Sequence, residues 1–124
     1  MQLISAVQSR TKMKIRFTAD ETQPVPEDVH IAFYRITQEA LNNIVKHSHA
    51  SETNVYLDSK AEQALLGIQD NGQGFNMTET SSGFGLGNMR ERAAMIGASL
   101  QVTSERGQGT EITVTWIADK EQVS

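Results

Sequence analysis

The 124 residues contain no cysteine. Disulfide frameworks, thiolate zinc sites and cysteine nucleophiles are thereby excluded, and the composition is compatible with the cytosol. No apolar run approaches the roughly 20 residues that cross a bilayer as a helix, and the first residues lack the apolar stretch of a secretory leader. There is no run of lysine and arginine. The formal net charge is −4, a balance that argues against a nucleic acid or a membrane surface as partner. It leaves a nucleotide open, because one phosphate site needs only a few aimed donors and a cation. No repeat and no low-complexity tract is present. His-Glu-x-x-His is absent, and His47 and His49, two apart, cannot share a helix face, which removes them as joint metal ligands. Gly-Lys-Ser/Thr is also absent, so no P-loop is encoded.

What is present suits one domain, residues 1–124, around one thin core: 38% of the residues are hydrophobic. Residues 1–9 offer a short helix with Leu3, Ile4 and Val7 on one face. Met13, Ile15 and Phe17 alternate with Lys14, Arg16 and Thr18 as in a half-buried strand. Residues 20–25 read as a turn-rich break. A helix is predicted to open at Pro26, whose missing N–H is no loss there, with Glu27 and Asp28 at the positive end of its dipole. It runs to about His47, and Val29, Phe33, Ile36, Ala40 and Ile44 recur at helical spacing. Val55 and Leu57 suggest a second strand, and residues 65–69 a third ending at Asp70. Residues 71–85 form a glycine-rich polar loop. Leu86, Met89, Ala93 and Ile96 give a second amphipathic helix that Gly97 is placed to end. Leu100 and Val102, then Ile112, Val114 and Trp116, complete the strands, with a turn at Gly107 and Gly109 and a frayed tail over 119–124. Strands with helices on one face predict an α+β two-layer sandwich.

Four places carry chemistry. Glu39 and Asn43, four apart, point the same way from the long helix. The amide oxygen is a neutral hard ligand suited to Mg²⁺, and the carboxylate can take a proton. The ordinary alternative makes Glu39 a surface ion-pair partner of Arg35. In Asp70-Asn71-Gly72-Gln73-Gly74-Phe75 an acceptor-only carboxylate ends an apolar strand beside two glycines. It suits an exocyclic amine such as that of adenine; the alternative is an Asn-Gly turn. Gly83-Phe84-Gly85-Leu86-Gly87-Asn88 leads into a helix whose first N–H groups suit an anion, or is simply a flexible loop. Gly107-Gln108-Gly109-Thr110 is either a plain hairpin turn or a place for a hydroxyl beside a base.

In order and spacing these four stretches resemble one family. Arg35-Ile36-Thr37-Gln38-Glu39-Ala40-Leu41-Asn42-Asn43-Ile44-Val45-Lys46-His47 resembles the N box of sensor histidine kinases, and the three glycine-bearing stretches resemble the G boxes of the GHKL ATPases, whose nucleotide site is the Bergerat fold. The likeness spans residues 13–116. Gln38-Glu39-Ala40-Leu41-Asn42-Asn43 and Gly85-Leu86-Gly87-Asn88-Met89-Arg90-Glu91-Arg92 are similar to the branch that serves nitrate-response-type regulators with helix-turn-helix DNA-binding domains.

The resemblance implies a mixed sheet of about five strands covered on one face by helices. It implies ATP and Mg²⁺ as ligand and cofactor, with Asn43 holding the metal and Glu39 as the base for phosphoryl transfer to a histidine on a separate helical hairpin of the parent protein. ATP would be bound by Asn43, Lys46, His47, Asp70, Gly72, Gly74, Phe75, Gly83, Gly85, Leu86, Gly87 and Thr110, under a lid over residues 76–82. The product would pass to a response regulator in the cytoplasm, with no nucleic acid bound and no direct membrane contact. Residues 1–12 would be the end of the connection from the hairpin, since His30, His47 and His49 all lie in or at the end of the long helix and none is a phosphoacceptor. The lid has no Lys or Arg, a departure from the family pattern. Two rivals remain: another GHKL ATPase of the anti-sigma-factor serine kinase kind, and a degenerate nucleotide-binding scaffold. Gln38-Glu39-Ala40-Leu41 counts against the first, and intact Glu39, Asn43 and Asp70 against the second.

Overall fold

The computed structural model describes residues 2–60, 62–73, 86–105 and 107–118. Its elements are α1 (Gln2–Gln8), β1 (Lys14–Glu21), α2 (Glu27–Asn43), β2 (Glu52–Lys60), β3 (Gln63–Asp70), α3 (Leu86–Met95), β4 (Ser99–Glu105) and β5 (Gly109–Ile117). The strands form one mixed sheet in the order β1-β2-β3-β5-β4. Only β1 and β2 run parallel; every other pair is antiparallel. This is the expected α+β sandwich.

The register explains why one face is covered. Directly opposed residues share a face. Phe17, Val55, Ile68, Ile112 and Val102 make one row across all five strands, and Ala19, Leu57, Leu66, Val114 and Leu100 make the next. Onto these rows α2 lays Val29, Phe33, Ile36, Ala40 and Leu41, and α3 lays Met89 and Ala93, all buried. Ile36, Leu41 and Leu66 are sealed from solvent, and each such side chain contributes about 1.5–3 kcal/mol of transfer free energy. The opposite face carries Arg16, Asn54, Gln69, Glu111 and Thr103 in one row. There the Tyr56 ring fills the space over Gly67, where an added Cβ would overlap it.

Helix boundaries follow local chemistry, with small departures from the sequence reading. Pro26 is the cap residue of α2 rather than its first helical residue, and its carbonyl accepts the His30 N–H at 3.0 Å. β1 continues to Glu21, so the break begins at Thr22. Its end is held by the Thr22 N–H, which donates to the Ser59 carbonyl at 3.0 Å. The helical path does reach His47, but as a wider π-helical turn over Ile44–Ser48 that ends at His49 with φ 55. α3 stops at Met95, two residues before Gly97 with φ +71. α1 forms as expected and packs Leu3, Ile4 and Val7 into the core. Met13 and Met89 are buried in the core, whereas Met95 is 78% exposed. The expected lid and the frayed tail, with Gly74, Phe75, Gly83 and Gly85, lie outside the described residues.

Candidate functional site: a polar row at the end of the apolar face

The inward face of the sheet ends in a row that is mostly polar: Ile15, Thr53, Asp70, Thr110 and Ser104 stand opposite one another across β1, β2, β3, β5 and β4. Asp70 is 5% exposed and Thr53 fully buried. An ionised carboxylate in such a place is costly unless hydrogen-bonded. The Gly72 N–H donates to Asp70 Oδ1 at 2.7 Å. Burial nevertheless wins, and the carboxyl titrates above the ordinary carboxylate range; the Gly72 hydrogen bond offsets this only in part. Among the described residues no side-chain cation pairs with it.

Its neighbours are held in place. Ser104 Oγ lies 2.8 Å from Thr110 Oγ1 and 3.2 Å from the Gly109 carbonyl oxygen, so the Thr110 hydroxyl is oriented from β4. Thr53 Oγ1 donates to Met13 Sδ at 3.0 Å. At Gly109, φ is +81 and an added Cβ would collide with the Asp70 carbonyl oxygen. Only glycine satisfies both demands, so the turn after β4 can close directly against the end of β3. A shallow cleft of about 280 Å³ at this end of β3, β4 and β5 is lined by residues of both faces, Asp70, Ser104 and Thr110 together with Gln69, Thr103 and Glu111. A separate apolar cavity of about 520 Å³, lined by Phe17, Val25, Phe33 and Leu57 among others, lies at the opposite end of the layer, where β2 reaches Ser59, and includes none of the residues that the resemblance assigns to ATP.

Chain direction brings the other candidates to the Asp70 end. Thr53, near the start of β2, pairs with Asp70 at the end of β3, and β2 is reached from α2 through residues 44–51. The C-terminal end of α2, with Glu39 and Asn43, therefore lies at this end. β4 starts at the far end, where Leu100 opposes Val114, and finishes here, where Ser104 opposes Thr110. Since α3 feeds β4 through a tight turn in which the Ala98 N–H donates to the Ala93 carbonyl at 2.9 Å, the N-terminus of α3, with Leu86 and Gly87, points back to the same end.

Glu39 and Asn43 are both half-buried on α2, and Lys46 is exposed on the π-helical turn. The side chain of His47 lies outside what is described. Arg35 Nη1 donates to Gln38 Oε1 at 3.4 Å, and no Arg35–Glu39 ion pair forms among the described residues, so the ordinary reading of Glu39 loses its partner. Gly87 stands inside α3, and among the described residues there is open space where its Cβ would be. Sequence reading missed Thr53 and Ser104, since a threonine and a serine in strands carry no signal until register aligns them with Asp70. Asn71, read as part of a turn, is a cross-link and not merely a turn residue. Its Oδ1 accepts the N–H groups of Ser51 and Glu52, each at 3.0 Å.

The buried Asp70 carboxylate thus stands at the end of a mixed sheet, with Glu39 and Asn43 on the helix that covers its inward face. The chain belongs to the family described as histidine kinase-, DNA gyrase B-, and HSP90-like ATPase, whose model matches residues 28–120. It is 38% identical over 123 residues to the sensor protein VraS of Staphylococcus epidermidis, covering 98% of this chain and 35% of that protein. It is 39% identical over 120 residues to VraS of Staphylococcus aureus, covering 96% and 34%. The chain thus spans about a third of the length of these curated relatives. In fold it is similar to the blue-light activated histidine kinase of Erythrobacter litoralis EL346, with a TM-score of 0.77 at 22% identity over 99% of this chain and 42% of that one.

Proposed function

We propose that this chain binds Mg-ATP at the Asp70 end of the sandwich and transfers the γ-phosphoryl group to a histidine on a separate helical hairpin of its parent protein. The phosphoryl group then passes to a response regulator, one with a helix-turn-helix output domain of the nitrate-response type. The observation that carries this reading is the buried Asp70 carboxylate at the open end of the apolar face, flanked by Thr53 and Thr110. A planar base slides onto apolar rows and meets an acceptor at its edge, and an amino group is what such an acceptor takes.

The residues fit the rest of the ligand. The Asn43 amide oxygen suits Mg²⁺, which is held by few protein oxygens together with phosphates and water; bound there, the ion would neutralise charge on the phosphates. Lys46 and His47 follow on the same helical path toward the phosphates. The first N–H groups of α3, at Leu86 and Gly87, favour an anion through the helix dipole. We assign Gly72, Gly74 and Phe75 to the base side, and Gly83 and Gly85 to the phosphate side. In the transfer step a nitrogen of the acceptor imidazole bonds to the γ-phosphorus as the bond to the bridging oxygen breaks and ADP leaves. Glu39 takes the proton that the ring must lose. α1 is where the connection from the hairpin enters, and the whole works in the cytoplasm. Among the described residues no helix is long and apolar enough to cross a membrane.

Labelling from γ-labelled ATP tests the assignment. The chain alone should remain unlabelled, and the parent's histidine-bearing hairpin added in trans should become labelled. Glu39→Ala should bind Mg-ATP nearly as wild type yet transfer about a hundred- to ten-thousandfold more slowly, the usual loss for a general base. Asn43→Ala should weaken Mg-ATP far more than metal-free ATP. Equal labelling by wild type and Glu39→Ala would remove Glu39 from the chemistry.

A further inference from the structure

Asn71 sits between two pieces of the site and belongs to neither. Its side chain leaves the end of β3 and reaches back to the start of β2, twenty residues earlier. Oδ1 accepts two backbone hydrogen bonds, from Ser51 and Glu52, each at 3.0 Å, and Nδ2 donates to Ser51 Oγ at 2.9 Å. Its own N–H donates to the Glu52 carbonyl at 3.2 Å. An amide can do both at once, accepting through its oxygen and donating through its nitrogen. The Ser51 carbonyl in turn accepts the Lys14 N–H at 2.9 Å, so the node ties the ends of three strands.

The node lies at the point where the two halves of the site are joined through the chain. On one side, Asn71 is bonded directly to Asp70, and Gly72, whose N–H holds the Asp70 carboxylate, follows it. On the other, Ser51 ends the connection that descends from Asn43 through the π-helical turn and the left-handed residue His49. An ordinary Asn-Gly turn would hydrogen-bond locally; Asn71 spends its side chain on a distant segment instead.

We propose that Asn71 is a positioning residue for nucleotide selectivity: its amide clamps the end of β3 to the end of the connection from α2, and so aims the Asp70 carboxylate at the base. The inference rests on the reading of Asp70 as the group that recognises the adenine amino side. Truncating Asn71 frees Asp70 and Gly72 to turn toward solvent, and the loss falls on the purine whose amino group the carboxylate meets.

The test is binding of ATP and GTP to the whole chain, well below its melting temperature, by wild type, Asn71→Ala and Asn71→Asp. Wild type should prefer ATP. Asn71→Ala should lose ATP affinity by about three- to tenfold, the size expected when one or two partly solvated hydrogen bonds are removed, while GTP changes little, so that the preference narrows. Asn71→Asp keeps the acceptor for the Ser51 and Glu52 amides and should restore most of the preference. A purely structural role would lower the melting temperature and leave the ATP-to-GTP ratio alone. An unchanged ratio in Asn71→Ala, or a ratio equally collapsed in Asn71→Asp, overturns the inference. A wild type indifferent to the base would instead overturn the reading of Asp70 on which it rests.

Discussion

Replacing Asp70 by Asn changes the charge of one buried group and almost nothing of its shape. The amide oxygen can still accept the Gly72 N–H that now bonds Oδ1 at 2.7 Å. The other position becomes an NH₂, which meets the amino group of adenine donor to donor. The hydrogen bond lost is charge-assisted and worth about 1.5–3 kcal/mol, which is about ten- to 150-fold in affinity at about 1.4 kcal/mol per tenfold. Stability should move the other way. Burial raises the Asp70 pKa, so the folded chain holds this proton more tightly than the unfolded chain does. The ionised carboxylate therefore costs stability near neutrality, and that cost is relieved as pH falls through the raised pKa. Asn, always neutral, removes it, and Asp70→Asn should melt at the same temperature as wild type or higher. ATP binding by wild type should show the opposite pH dependence, falling as Asp70 takes its proton, while the weak binding of Asp70→Asn stays flat through that range. Calorimetric titration with ATP and thermal melts across pH 4–8 read both quantities. Wild-type ATP affinity in the mutant would refute the argument, and so would an affinity loss that merely tracks a lowered melting temperature.

Two other substitutions isolate backbone effects by urea denaturation. Gly109→Ala should cost about 2–5 kcal/mol, combining a left-handed φ with a collision against the Asp70 carbonyl, and should weaken ATP binding with it. Gly107→Ala, at the same φ of +81 but with open space around the new methyl, should cost only the conformational part, about 1–2 kcal/mol; equal costs at the two positions would refute the steric argument. His49, left-handed at φ 55, should be improved by glycine by up to about 1 kcal/mol and harmed by valine. A destabilised His49→Gly would mean that the imidazole itself holds the turn.

Much of the architecture was legible because periodicity is a local property. The alternation from Met13 to Phe17 and the three- and four-residue spacing from Val29 to Ile44 each specify an element and the face it buries. The glycines at 97, 107 and 109 mark places where the chain must turn through positive φ. The order of the four motifs was enough for the family, since order and spacing survive where single residues are ambiguous. The sequence could not align Thr53 and Ser104 with Asp70, because register is fixed by which strands pair and where. Residues 53, 70, 104 and 110 become neighbours only when β5 inserts between β3 and β4. Nor could it tell that Asn71 reaches back to Ser51 rather than closing a local turn, or that Gly109 must be glycine because the Asp70 carbonyl occupies the place of its Cβ. Such contacts join residues far apart in the chain, and what fixes them is the closing of the whole sheet under its helices. Local propensity determined the pieces here; long-range packing decided which polar groups end up buried together.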